Sequence, residues 1–340
     1  MIKNSAESSN PQPNPESAIT DSDLEYVRCP LCESDDTKCL FERRDLTYKI
    51  TDIAFKVVRC RRCGLVYVNP KPREIDIHKY YPEEFYSPGG VDASQLLHEK
   101  REQLVRKYSY VKDIPPGRLL EIGCAKGEFM MLMKQNGWDV CGVDFSNKPP
   151  NVFELDIRYG SLEAAGFKNN SFDLVALWAV LEHVYSPKRM LTDICRLLKP
   201  GGSVVLLVTN FNSLPARLMR QDDVPRHTTL FTAVTVSKLL ETTGYKVDFI
   251  RCDHKLYGGT NRGLLNFLFK LAAGERLGEI VAQSRSAARW QEFSSELRGK
   301  KSDWMLRVDK ADIAVTPRID PILDCLRFGF IMIARAKRRL

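Results

Sequence analysis

Leu119-Leu120-Glu121-Ile122-Gly123-Cys124-Ala125-Lys126-Gly127-Glu128-Phe129-Met130 is the stretch on which the fold turns. It reads as a short buried strand (Arg118–Ile122), a tight glycine turn and a helix opening at Gly127. A carboxylate at a strand end, beside a turn almost free of side chains, is a way to hold a small ligand. Glycine lets the backbone approach closely, and the free amides of a helix N-terminus offer donors to an anionic group. The rival pattern is the dinucleotide fingerprint G-x-G-x-x-G. Counted from Gly123 it puts Ala125 second and Glu128 third, so the glycine needed for close helix–strand packing is missing. The spacing is instead acid-x-Gly-x-small-x-Gly.

Working outward, Phe129–Gln135 continue the helix and Gly137 stops it. Asp139–Asp144 is a second strand ending in a carboxylate, 21 residues beyond Gly123. In doubly wound folds an acid at this place accepts hydrogen bonds from ribose hydroxyls. Phe145 follows directly, a ring that could cover an adenine. Pro149-Pro150 shortens the next connection, and Ile157–Ser161 makes a third strand. Ser171–Val180 is a fourth, nearly continuous in apolar residues as parallel strands covered on both faces are. It runs into Leu181-Glu182-His183-Val184. Ser186-Pro187 caps a helix with Met190, Leu191, Ile194, Leu197 and Leu198 on one face, and Lys199-Pro200-Gly201-Gly202 ends it. Ser203–Thr209 is the fifth strand. Pro225–Thr232, containing His227, precedes a helix at Val236–Thr242, and Lys246–Arg251 is the sixth strand. Phe328–Ala334 closes the set as the seventh, ahead of a basic tail, Arg335–Leu340.

The acid-x-Gly-x-small-x-Gly spacing resembles the cofactor motif of class I S-adenosylmethionine-dependent methyltransferases, with Ala125 at the usual second glycine. Alanine there asks slightly more room of the turn. The run D-L-V-A-L-W-A-V-L-E-H-V (Asp173–Val184), followed by L-L-K-P-G-G-S-V-V-L-L-V (Leu197–Val208), is similar to the small-molecule branch of that family. The resemblance covers roughly Cys29 to Val247. It implies an α/β fold with a Rossmann-like seven-stranded sheet and S-adenosylmethionine as cofactor. Glu121, Gly123, Cys124, Ala125 and Gly127 would surround its methionine end, Asp144 its ribose and Phe145 its adenine. Ser161 and Leu162 stand where the family places residues at the adenine edge, without the more usual acid. Two histidines are candidates for catalysis, because a hydroxyl or carbon-acid acceptor must lose a proton. His183 sits just past the fourth strand, where open α/β sheets bind ligands; it could equally be a hydrogen-bonded residue pinning the loop. His227, on the loop after the fifth strand, is a base or a substrate contact.

Upstream, Cys29-Pro30-Leu31-Cys32 and Cys60-Arg61-Arg62-Cys63-Gly64 form two C-x-x-C pairs. Each makes a turn that points two thiolates at one tetrahedral ion, the geometry of a zinc ribbon with four thiolates and no open position. A redox role fits less well, because two pairs at ribbon distance point to one shared site; Cys39 reads as a bystander. The segment C-G-L-V-Y-V-N-P resembles a methyltransferase subgroup often associated with sugar or surface-polysaccharide biosynthesis. The aromatic cluster Tyr80–Tyr86 either packs the ribbon on the catalytic domain or lies over cofactor or substrate. From Ala93 to Val111 a helix is expected, with Leu96, Leu97, Leu104, Val105 and Tyr108 on its apolar stripe.

The 340 residues suffice for one large domain and an accessory module. The division expected is a disordered N-terminus (1–23), a zinc ribbon (24–70), an aromatic and helical connector (71–116), a cofactor-binding core (117–257), a helical insertion (258–325) and the closing strand with its tail (326–340). The insertion, with basic amphipathic stretches such as Leu264–Leu271, could cover the site, form a dimer or rest on a membrane surface. A net charge of +8 is compatible with phosphorylated substrates, nucleic acid or an anionic surface and selects none of them. Met1–Asp23 lacks the apolar core of a signal peptide and no run reaches transmembrane length; with ten cysteines in no disulfide pattern, the chain reads as cytoplasmic and reduced.

Three functions compete. The first is methyl transfer to a small molecule, a sugar or nucleotide-sugar. The second is an RNA methyltransferase that uses the ribbon to bind nucleic acid. Against it, the loop after the fourth strand is L-E-H-V rather than N/D-P-P-Y, and the ribbon has few basic residues beyond Arg59, Arg61 and Arg62 and lacks interleaved aromatics. The third is a non-catalytic zinc-ribbon binding protein, against which the intact acidic and glycine positions argue. A small-molecule partner is expected; the acceptor atom and oligomeric state are left open.

Overall fold

The computed structural model describes residues 19–82 apart from 46, 93–146, 151–256 apart from 215 and 218–222, 303–340, and the isolated positions Leu265, Leu268 and Ala272. In chain order the strands are β1 (Leu24–Glu25), β2 (Thr37–Arg43), β3 (Phe55–Cys60), β4 (Val66–Val68), β5 (Lys71–Pro72), β6 (Arg118–Ile122), β7 (Asp139–Asp144), β8 (Asp156–Tyr159), β9 (Phe172–Trp178), β10 (Leu198–Thr209), β11 (Thr229–Leu230), β12 (Tyr245–Cys252) and β13 (Ile331–Arg338). The helices are α1 (Ala93–Glu99), α2 (Arg101–Ser109), α3 (Glu128–Gln135), α4 (Pro187–Leu197), α5 (Ala233–Thr242) and α6 (Asp303–Cys325).

Seven strands form one mixed sheet in the order β12-β13-β10-β9-β6-β7-β8. All run parallel except β13, which enters antiparallel between β10 and β12. Successive strand residues face opposite sides, and both sides are apolar here. Leu120, Ile122, Val175, Leu177, Val204 and Leu206 pack under α4 and α5 with Leu191, Ile194, Val236 and Leu239. Leu119, Leu174, Ala176, Val205 and Leu207 pack under α2 and α3 with Leu104, Phe129, Met130 and Met133. The sequence order reverses on either side of β6, which is paired with β9 on one edge and β7 on the other. The crevice at the carboxyl ends of these strands is therefore a topological switch point, where sheets of this kind hold ligands.

The N-terminal cysteines belong to a second sheet, β11-β4-β3-β2. Its fourth strand, β11, comes from the loop after β10 and pairs antiparallel with β4 (Thr229 opposite Tyr67, Leu230 opposite Val66). Phe55, Val57, Val66, Val68 and Tyr80 share a core with Phe211, Val224 and Leu230. The cysteine-bearing module is thus built into the half that carries the seven-stranded sheet. Among the described residues, no helix is long and apolar enough to cross a membrane.

Several expected elements differ in detail. The helix expected over Ala93–Val111 is two helices that break at Lys100, and Val105, placed on the apolar stripe, is 55% exposed. The third sheet strand is Asp156–Tyr159 rather than Ile157–Ser161, because Ser161 turns to bind the Ala164 amide. The fifth strand starts at Leu198, with a register break before Ser203. Ser186 caps α4 without a side-chain hydrogen bond, whereas α5 begins at Ala233, capped by Thr232. The closing strand runs from Ile331 to Arg338, so the expected basic tail is largely strand. Of its cations, Arg335 is ion-paired, meeting Asp113 at 2.6 Å and Asp248 at 3.3 Å. At the other end order begins before residue 24: Asp23 is buried and ion-paired with Lys79 at 2.9 Å. Residues 1–18, most of 258–302 and the aromatic positions 83–86 lie outside the described residues.

Candidate functional site

β6 delivers the chain into its turn at Gly123, with φ +71°. A Cβ there would stand 2.5 Å from Val180 Cγ2, so the loop leaving β9 lies directly on the turn. Gly127, φ +83°, is the residue from which α3 starts. Between them Ala125 also takes a left-handed conformation, φ +47°, which costs a residue with a Cβ about 1–2 kcal/mol. Its amide donates to Asp144 Oδ2 at 2.7 Å, a charge-assisted bond that holds the strained turn. The alanine asks for strain here rather than for space.

Asp144 ends β7 and its second oxygen accepts the Ser146 amide at 2.8 Å and the Ser146 hydroxyl. A carboxylate has about four acceptor positions; three are used, and one is left for a ligand. Phe145, next in the chain, is 54% exposed. The Gly160 amide donates to the Asp144 carbonyl at 2.9 Å, which brings Ser161 and Leu162 alongside. Ser161 uses its hydroxyl within its own turn, and Leu162 points into the core. Cys124 likewise buries its side chain, filling the space left by Gly142, whose Cβ would stand 2.6 Å from its sulfur. Burial pushes that thiol far up, and only its backbone faces the turn.

Glu121 is 4% exposed, and burial raises its carboxyl far above the usual range despite the attraction of Lys107. Its Oε2 has no hydrogen-bond partner among the described residues, and neither has the buried Nε1 of Trp178 at the end of β9. Lys107, on α2, holds its Nζ 5.2 Å from the centroid of the Trp178 ring. An unsatisfied carboxylate oxygen, an unsatisfied indole N–H and a cation thus converge beside the glycine turn. Buried polar groups of this kind are rare without a ligand or water. This arrangement fits the zwitterionic end of an amino acid. The sequence pattern had pointed to Glu121 alone. The signal for Lys107 was its helical spacing with Leu104 and Tyr108, which puts a cation on a stripe that faces the core.

The structure brings His183 and His227 together from places 44 residues apart, with ring centroids 4.6 Å apart and planes nearly perpendicular. Tyr81 hydroxyl is 3.0 Å from His183 Nδ1, so the aromatic cluster divides: Tyr80 packs in the ribbon core and Tyr81 reaches the histidines. Burial first, then the neighbouring His227, pushes His183 down to about 3, so it is a neutral imidazole at physiological pH. Glu182 is fully buried. Its Oε1 accepts the Thr209 amide at 3.3 Å, and burial moves its carboxyl up to about 7.

His227 is held from the ribbon side by its neighbour Arg226, which is completely buried. The guanidinium donates to Asp45 (2.8 and 3.1 Å) and to Asp223 (2.7 and 3.0 Å), and lies 4.5 Å from the Tyr48 ring. Thr228 and Thr229 tie the following residues to the backbone at Glu182 and Val184. Nothing in the local sequence singles out this network, because Asp45 lies 181 residues from Arg226.

At the ribbon, the sulfurs of Cys29, Cys32, Cys60 and Cys63 all lie within 4.8 Å of one another, with Cys29–Cys63 and Cys32–Cys60 at 3.5 Å. Four thiolates at about 2.3 Å from a tetrahedral zinc ion stand roughly 3.8 Å apart, so the set matches one such ion. The backbone forms a tight turn at each pair, with the Glu33 amide bonded to the Cys29 carbonyl and the Gly64 amide to the Cys60 carbonyl. A third cluster, Asp253–His254–Asp324, ties the end of β12 to α6 through His254 Nδ1 and Asp324 Oδ2 at 2.7 Å; Asp253 takes Arg106 and Tyr110.

Residues 96–248 match the family model described as "Methyltransferase domain". A probable S-adenosylmethionine-dependent methyltransferase from Mycolicibacterium smegmatis is 30% identical over 136 residues, 38% of this chain and 52% of that protein. A ubiquinone biosynthesis O-methyltransferase from Dechloromonas aromatica is 37% identical over 105 residues, 28% of this chain and 45% of that one. The chain thus spans about half the length of these curated relatives. A solved S-adenosylmethionine-dependent methyltransferase from Archaeoglobus fulgidus is similar at 18% identity with a TM-score of 0.44, over 72% of this chain and 99% of that one.

Proposed function

We propose, from a chain whose residues 96–248 match a methyltransferase domain, that it transfers methyl groups from S-adenosylmethionine to a small-molecule acceptor, a sugar or nucleotide-sugar. The observation that carries this reading is the glycine turn flanked by Asp144 and by a buried, unsatisfied Glu121 carboxylate. When bound, the cofactor supplies an electrophilic methyl on a positively charged sulfur and leaves as a neutral thioether. Glu121 would accept from its ammonium, Lys107 would meet its carboxylate, and Asp144 its ribose. Phe145 would lie against the adenine, with Ser161 and Leu162 at the adenine edge and the Gly123–Gly127 backbone beneath, including Cys124 and Ala125.

His183 and His227 are the proposed proton acceptors. One of these imidazoles would take the proton of the acceptor hydroxyl or carbon acid, leaving the acceptor atom with a free electron pair to meet the electrophilic methyl that the cofactor would supply. The nucleic-acid reading is disfavoured, because the ribbon edge strand β4 is occupied by β11 and its core is shared with the catalytic half. The cysteine set is proposed to hold a structural zinc ion. Changing Cys60 to Ser should drop bound zinc by one equivalent, measured by elemental analysis, and lower the melting temperature; full retention of zinc would remove Cys60 from the site.

The test of the cofactor reading is calorimetric titration with S-adenosylhomocysteine, with micromolar binding expected, about −8 kcal/mol. In the same assay Lys107→Met should weaken S-adenosylhomocysteine roughly ten- to hundredfold, the size of one charge-assisted hydrogen bond. It should leave 5′-methylthioadenosine, which lacks the amino-acid end, unchanged. Equal losses for both ligands would take Lys107 out of the carboxylate role. A screen of nucleotide-sugar acceptors then tests the substrate class.

A further inference from the structure

We infer that Lys71 is a positioning residue: from the N-terminal half it holds, through Tyr185, the loop that carries His183. Lys71 lies on β5 and is 2% exposed. Its ammonium donates to the Tyr185 carbonyl at 2.6 Å and sits 3.4 Å from the centroid of the Tyr185 ring. Tyr185 is two residues past His183 on the same loop, between β9 and α4. Each of the four residues from Glu182 to Tyr185 is held. The Glu182 carbonyl accepts the Thr229 amide at 3.3 Å, and the Val184 carbonyl accepts the Thr228 hydroxyl at 3.1 Å. The His183 ring meets the Tyr81 hydroxyl at 3.0 Å and the Arg226 backbone. Those partners are neutral hydroxyls and peptide groups; Lys71 alone brings a charge.

The independent observation is that this buried cation makes no ion pair among the described residues. Glu25, opposite it in the β1–β5 register, and Glu74 attract it from farther off, and burial outweighs them, bringing the ammonium down to about 8. A buried cation held by one hydrogen bond and one ring is costly to fold, and an apolar side chain of similar length would fill the place at less cost. What the ammonium adds is direction. A charge-assisted bond and a cation–π contact to the same residue fix both the backbone and the ring of Tyr185.

The part this plays in methyl transfer rests on the reading of His183 and His227 as proton acceptors. Their ring centroids are 4.6 Å apart, so a shift of the loop moves one ring against the other. A misplacement of about 1 Å can cost roughly a hundredfold in rate. Burial comes first among the causes that push His183 down to about 3, then the neighbouring His227; Arg226 adds to them and Asp223 opposes them. A loop released from Lys71 admits water, and the imidazole then rises toward the ordinary histidine range.

The test is the nitrogen NMR spectrum of the imidazoles in the full-length protein labelled at histidine, followed from pH 8 to pH 5. The His183 signals are identified by their loss in His183→Gln. In the parent His183 stays neutral across this range. In Lys71→Met it takes up a proton within the range, a midpoint about two pH units higher, whereas Lys71→Arg, which keeps the cation, reads as the parent. Tyr185→Leu, which removes the ring beneath the ammonium, gives the same rise should Lys71→Met not fold. A His183 that stays neutral in both folded variants overturns the proposal, whatever their melting temperatures. A rise shared by Lys71→Arg overturns it too, because any change of side chain would then loosen the loop. S-adenosylhomocysteine is titrated into the same samples, with affinity within about threefold of the parent expected in each. No binding in the parent sinks the methyltransferase reading, while the histidine titration still decides whether Lys71 holds the loop.

Discussion

Glu121→Gln is expected to lower the affinity for S-adenosylhomocysteine by about a hundredfold while raising the melting temperature of the ligand-free protein. The first effect follows from removing one partner of a buried charge pair, which costs about 2–5 kcal/mol at an interface. The second follows from the state of Glu121 before ligand arrives. Burial raises its carboxyl far above 4.5 and outweighs the pull of Lys107. An acid whose folded value is raised holds a proton that the unfolded chain releases, so folding is disfavoured progressively as pH climbs from about 4.5 through the folded value. Glutamine has no such proton. The gain in melting temperature should therefore be nearly absent at pH 4.5 and grow to a plateau above pH 8, as scanning calorimetry across pH would show. A fall in melting temperature at pH 8 would mean that the contact with Lys107 outweighs the burial cost, and that Glu121 is a structural residue.

The second large effect is expected at Arg226. Burial alone would raise Asp45 and Asp223, yet the guanidinium hydrogen bonds overcome it and hold both below the ordinary value. Arg226→Met leaves those carboxylates uncompensated, which for a buried pair costs on the order of 3–5 kcal/mol. A melting temperature lower by roughly 10 °C is the corresponding shift for a chain of this size. Their lowered values place this stabilisation above about pH 4; it is lost as pH falls through the folded values, so the deficit of the variant shrinks in acid. Adding Asp45→Asn and Asp223→Asn to Arg226→Met should recover much of the loss, since removing all the charges is far less costly than stranding some. No recovery in denaturant midpoint would show that the guanidinium acts by packing on Tyr48 rather than by charge.

What was legible in the sequence is what is local. β6 and β7 match their expected limits because β6 is an apolar run stopped by the Gly123 turn and β7 one that ends in the Asp144 carboxylate. The four cysteines declare themselves through spacing. The glycine turn at Gly123–Gly127 is legible as a turn, though the left-handed Ala125 shows only in three dimensions. The end of β13 was misread because Arg335, Lys337 and Arg338 look like a solvated tail. In the sheet, buried Ala334 and Ala336 keep the strand going, while Arg335 finds acids on other elements. The pairing of His183 with His227, the anchoring of Arg226 by Asp45 and the approach of Lys107 to Glu121 depend on contacts between residues 14 to 181 positions apart, and no periodicity encodes them. β11 is two residues long, below what any alternation could announce.

That short strand has a consequence for how the protein is made. β4 leaves the ribosome about 160 residues ahead of its partner β11. At about 5–20 residues per second, this leaves the ribbon sheet with an open edge for roughly 8 to 32 seconds of synthesis. The sheet that carries the cysteines closes only when β11 arrives with the rest of the chain. A three-residue edge is a short template for wrong pairing, which suits a strand that must wait.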